Sequence, residues 1–106
     1  PTAEFAPENR LWVVIVGAAN TGLKKYQGAS GVVYAAKVSE VTPYPHVDGA
    51  KVLRFVDSPK KINLRPEWVS ANNPSVGGYL IIEDVSGNTI CRFMPSDAFT
   101  AQYQTA

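Results

Sequence analysis

Apolar residues fall along this chain in short runs broken by Gly, Pro and Asn, a pattern that predicts strands joined by turns rather than long helices. The clearest unit spans Gly77 to Tyr103. Gly77-Gly78 reads as a hinge delivering the chain into Tyr79-Leu80-Ile81-Ile82, a β-rich run ending near Asp84. Val85-Ser86-Gly87-Asn88 supplies turn chemistry, with Gly87 and Asn88 expected at positive φ, and Thr89 to Met94 returns as a partner strand. Period two places Leu80 and Ile82 on one face and Tyr79, Ile81 and Glu83 on the other; Ile90, Arg92 and Met94 oppose Thr89, Cys91 and Phe93. Neither face is purely polar, so both are expected to be partly covered. Pro95 stops the strand, Ser96 is a candidate N-cap for a helix from Asp97 to Gln104, and Phe99 and Tyr103 share the helical face that packs on the hairpin.

The remaining runs follow the same logic. Residues 1–10 read as an extended arm anchored by Phe5, draped over its own domain or reaching a neighbour, and Leu11 to Val16 as a central strand covered on both faces. Gly17 to Gly31 is loop chemistry throughout, with Lys24 and Lys25 at its tip as candidate partner contacts. Its Gly17-x-x-x-x-Gly22 spacing invites comparison with a phosphate-binding loop. That comparison fails because Leu23 stands where Lys is needed, Lys24 arrives one place late, no Ser or Thr follows, and Gly28 and Gly31 interrupt any helix that would cradle phosphate. Val32 to Val41 and Lys51 to Phe55 are further strands, separated by a turn-rich connection closed by Asp48-Gly49. Ile62-Asn63-Leu64 adds a short strand, and Pro66 starts one helical turn with Trp68 packed inward.

The series Gly78-Tyr79-Leu80-Ile81, Asp84, Gly87-Asn88, Pro95, Phe99, Ala101 and Tyr103 resembles the C-terminal signature of a family of small bacteriophage proteins of unknown function. That signature has a Gly-Asp-Tyr strand, a turn, a second strand and a Phe-x-x-x-Tyr segment. The resemblance covers the last quarter of the chain and departs from the pattern at Gly78, where Asp is usual. It implies phage origin and carries no catalytic residue across.

Composition bounds the function classes. With 106 residues, 45% hydrophobic and 18% charged, the chain suits one domain, residues 1–106, with a core that needs no metal or disulfide. The net charge of +1 makes no whole-protein case for nucleic acid or membrane. No run reaches membrane-spanning length and the first residues lack a secretory pattern, so a cytoplasmic location in the producing cell, or a virion, is expected. Cys91 and His46 are single; one reads as a packed strand residue and the other as an exposed loop histidine. Glu83 and Asp84 are neighbours on a strand and point to opposite faces. With no cofactor implied, the expected fold is α+β, mainly β: a small antiparallel sheet or partly open barrel of five or six strands with a short C-terminal helix. The expected function is non-enzymatic, through protein contacts or self-association, as a virion component or binder of a host protein. The alternative is nucleic-acid binding by the basic segment holding Lys51, Arg54, Lys60, Lys61 and Arg65, although alternation along the strand divides those charges between two faces. A weaker third reading places a small ligand between subunits under the Gly17 to Gly31 loop.

Overall fold

The computed structural model describes residues 4–5, 13–14, 22–29, 31–45, 47–59 and 61–105. Expectations for most of the arm, for most of Leu11 to Val16, for His46 and for Lys60 lie outside the described residues. In chain order the elements are β1 (Glu4–Phe5), β2 (Val13–Val14), β3 (Lys24–Gly28), β4 (Gly31–Pro43), β5 (Lys51–Phe55), β6 (Lys61–Leu64), α1 (Pro66–Asn72), β7 (Tyr79–Val85), β8 (Asn88–Met94), α2 (Ser96–Gln102) and β9 (Tyr103–Thr105). The architecture is mostly β: an open antiparallel sheet of seven strands with two helices, more strands than the sequence pattern predicts.

β4 holds the sheet together. Its first half pairs with β3 on one edge and β7 on the other, and its second half pairs with β5. At the midpoint Val38 exchanges hydrogen bonds with Gly77 and Gly78, while the Lys37 carbonyl accepts from the Val56 amide. Successive residues of a strand bond to opposite sides, so β3 and β5 lie end to end along the same edge of β4. The register with β5 slips between Val38 and Glu40, a bulge at Ser39 that bends the strand. β6 continues outward from β5, β9 from β3 and β8 from β7.

Both faces are covered, as the mixed alternation predicts. One face of the sheet buries Ala36, Val38, Leu53, Phe55, Leu80, Ile82 and Cys91, with Trp68 of α1 pressed onto it. The other buries Val33, Ala35 and Ile81 under Phe99 of α2. Pro66 occupies the start of α1, and Asn73 ends it in the left-handed conformation with its amide bonded to the Val69 carbonyl. The Trp68 indole also closes an open edge. Val85 and Asn88 close the two-residue hairpin as a bonded pair, and alternation then makes Ile82 and Cys91 a non-bonded pair whose carbonyls point away from each other's strand. The outward Cys91 carbonyl accepts from Trp68 Nε1 at 2.9 Å.

Four expectations are corrected. The central strand is β4; Val13–Val14, the described part of 11–16, pairs with Glu4–Phe5 in a separate two-stranded unit beside β6. Lys24 and Lys25 are not at a loop tip, because Lys24–Gly28 is a strand held between β4 and β9. The helix cap is Pro95, with extended φ and ψ, and α2 ends at Gln102, so Tyr103 and Gln104 belong to β9. At the hairpin turn the positive-φ residues are Ser86 at 50° and Gly87 at 82°; Asn88 lies in the ladder opposite Val85. The tight two-residue turn selects the pair between the last bonded residues. Since a serine there carries left-handed strain, Ser86→Asn, which creates an Asn-Gly turn, is expected to stabilise the protein by about 0.5–1 kcal/mol, read as a rise in the urea midpoint.

Candidate functional site

The strand alternation decides where the expected contact residues go. Lys24 stands opposite Ala35 and Lys25 opposite Tyr34, so these two exposed lysines point to different faces. In the basic segment, Arg54 stands opposite both Glu40 and Lys61. Its Nη1 lies 3.5 Å from Glu40 Oε1 in an exposed ion pair, a contact of small energetic weight. Lys51 shares the opposite face with Leu53 and Phe55, and Arg65 is the residue before α1. The described basic residues of 51–65 therefore converge only at Arg54 and Lys61.

The α2 face carries a cluster that the sequence reading did not assemble. Phe99 stacks on Tyr79 with centroids 4.0 Å apart and on Tyr103 at 5.0 Å, and it meets Tyr26 edge-on at 4.9 Å. Arg92 Nε donates to Glu83 Oε2 at 2.5 Å, and Arg92 Nη2 donates to the Tyr103 hydroxyl. Burial alone would lower the Arg92 pKa; the Glu83 carboxylate and the Tyr103 hydroxyl more than offset it and raise it. Burial raises the Tyr26 phenol, helped by Tyr79 and Asp57, so Tyr26 stays protonated as a donor. The Tyr103 ring lies over Gly28, where an added Cβ would come within 2.4 Å of it.

Two concavities border this cluster. The first is an open groove of about 350 Å³ beside β9, lined by Gln27, Gly28, Ala29, Thr100 to Tyr103 and Gln104. Among the described residues, none that lines it is charged. The second is a smaller hollow of about 80 Å³ at the place where β3 and β5 meet along β4. Ala35 and Ala36 are among its lining residues, Tyr26 and Tyr79 border it, and Lys24, Lys37, Asp57 and Ser58 bring polar groups to it. Of these residues the sequence reading named only Lys24 as a contact. The signal for the others was the alternation Lys24-x-Tyr26 and Ala35-x-Lys37, which becomes informative once the strand register is known.

The neighbouring carboxylates Glu83 and Asp84 are both engaged within the hairpin. Glu83 bonds Arg92, and Asp84 accepts from the Thr89 hydroxyl at 2.7 Å across the hairpin on the other face. No group of three or more potential metal ligands comes together among the described residues. Cys91 is fully buried, and burial pushes its thiol well above its ordinary value of 9.0. The folded chain then keeps a proton that the unfolded chain releases above about pH 9, so this contribution is complete below 9.0 and is lost as pH rises. Stability is expected to fall by about 1.4 kcal/mol per pH unit in that window. In Cys91→Ala the decline should begin only nearer the ordinary tyrosine range, as urea midpoints measured from pH 7 to 11 would show.

The chain matches no protein-family model, no curated protein and no solved structure. Among the described residues no helix is long and apolar enough to cross a membrane.

Proposed function

We propose that this chain is a non-enzymatic module that works through protein contacts, as a virion component or as a binder of a host protein in a bacteriophage. The observation that carries the reading is the uncharged groove beside β9. β9 ends the path of strands and pairs only with β3 among the described residues, and Tyr103–Thr105 carries neither proline nor charge to guard that edge. A groove lined by glutamine, threonine and backbone offers donors and acceptors to a polypeptide segment. Among its described lining residues it offers no Lys or Arg, the charges that supply most of the attraction to a phosphate backbone. The phage assignment rests on the resemblance at Gly78 to Tyr103.

A protein partner or a second copy of the chain is expected to give a complex that persists at high salt. Light-scattering mass at low and high salt, alone and with candidate partners, tests this, and Thr100→Lys with Gln102→Lys should abolish the complex while leaving the fold intact. Mass gained only with a single-stranded oligonucleotide at low salt would instead favour the second reading. That reading draws on the exposed cross-strand neighbours Arg54 and Lys61 and predicts loss of binding when Lys60 and Lys61 are reversed in charge.

A further inference from the structure

The hollow where β3 and β5 meet has a chemistry distinct from the groove, and for its occupant it rests on the protein-contact reading. We propose that it receives the carboxylate side chain of a Glu or Asp presented by the partner protein.

The position follows from the register. Lys24 is opposite Ala35 on β4, and Tyr79 is opposite Lys37, so Lys24, Tyr26, Ala35, Lys37 and Tyr79 all project from the α2 face. Lys24 and Lys37 are diagonal neighbours on the edge that β3 and β5 share, a relation that sets the two residues roughly 7–8 Å apart, their Cβ atoms somewhat closer. The alanine between them leaves room for the hollow. Two exposed lysines therefore flank a recess bordered by two tyrosines.

Size and charge select the occupant. A volume of about 80 Å³ exceeds the roughly 10–15 Å³ that one water needs and is far below the roughly 300–1,000 Å³ of sites for drug-sized ligands. It suits the end of one side chain. Lysine ammonium and tyrosine phenol both donate, and Asp57 is the single acceptor-only side chain among the described lining residues. Among the described lining residues, two lysines and one aspartate leave a net charge of +1. A carboxylate can accept from several of these donors at once. A cationic side chain would compete with the Lys24 ammonium, which already stands 5.7 Å over the Tyr26 ring. A phosphodiester shares the charge but brings flanking sugars that the hollow does not admit. Asp57 opposes an anion, so it limits affinity and provides a control whose sign differs for anion and cation.

The test uses the full chain labelled with ¹⁵N and sodium propionate, the glutamate side chain in isolation, as probe. Saturable amide shifts confined to Ala35, Ala36, Lys37 and their neighbours are expected at millimolar propionate, and not with sodium chloride or ethylammonium chloride at the same ionic strength. Lys37→Gln should weaken binding about two- to fivefold, the double variant with Lys24→Gln should remove it, and Asp57→Asn should strengthen it by a similar factor. All three positions are exposed, and unchanged shifts elsewhere in each variant would show that the fold is kept. Absent or non-saturating shifts, preference for ethylammonium, weakening by Asp57→Asn, or displacement of propionate by an oligonucleotide would each overturn the proposal. If a protein complex forms and ignores the double variant, this inference falls while the protein-contact reading stands. If propionate binds but no protein complex is found, the occupant proposed here falls together with that reading.

Discussion

Trp68→Ala is expected to destabilise the protein by about 3–5 kcal/mol, a large fraction of the roughly 5–15 kcal/mol that holds an ordinary domain folded. Two losses combine. The indole is 4% exposed within the larger core cluster, so removing it leaves a cavity among Leu53, Leu64 and Cys91, which share that cluster. It also strips the Cys91 carbonyl of its donor at a strand edge that has no other described partner strand. Trp68→Phe shifts the balance between the two terms, since it keeps an aromatic ring in the core and removes the indole N–H together with a smaller volume. A cost of about 1–3 kcal/mol is expected for the unsatisfied acceptor. Urea midpoints for the two variants check both values; equal stability of Trp68→Phe and the parent would show that the hydrogen bond contributes nothing.

Phe99→Ala is expected to cost a similar 3–5 kcal/mol on the opposite face, with a different local signature. α2 has seven residues, too few to persist without tertiary contact, and Phe99 is its one buried side chain. The ring meets Tyr26, Tyr79 and Tyr103 together, so its removal releases α2 and with it the short strand β9. Amide exchange at Tyr103 to Thr105 should rise toward unprotected rates in a variant such as Phe99→Leu, which keeps an apolar side chain at the site and is milder than Phe99→Ala. Protection that remains unchanged there would mean that pairing with β3, rather than the aromatic cluster, holds β9 in place.

What could be read from the chain was whatever local chemistry decides. Leu80 to Ile82 and Ile90 to Phe93 alternate around turn residues, so β7 and β8 follow from periodicity, and Pro66 marks the start of α1 because its missing N–H is harmless there. β3 escaped because Lys24-Lys25-Tyr26-Gln27-Gly28 has one large apolar residue; its strand state comes from pairing with the long β4 that follows it and with the short, remote β9. Helix start and hairpin turn each slipped by one residue, since Ser96 and Asn88 have suitable chemistry at positions that the backbone does not use for it. Gly78 was legible as a hinge but not for its second role: a Cβ there would come within 2.1 Å of the Phe93 ring and 2.9 Å of the Met94 carbonyl. The aspartate usual in the resembled signature would not fit at that position in this fold. At the hollow, Lys24 was visible as charge, but Lys37, Tyr26, Tyr79 and Asp57 become neighbours only through register and the meeting of two ladders, which no local pattern encodes.

The bulge at Ser39 bears on how this chain can change length over generations. Anywhere else within β4, losing or gaining one residue would exchange the two faces of the strand beyond that point, turning Val33 and Ala35 toward Trp68, or Val38 and Val41 away from it. Ser39 is the surplus residue in the β5 register, so its deletion leaves Val38 and Val41 on the face they now occupy. The penalty would fall on shape: an unbent β4 would carry β5 and β6 away from Trp68. A one-residue deletion at Ser39 would therefore shorten β4 without scrambling its core, and would change the angle between the two halves of the sheet.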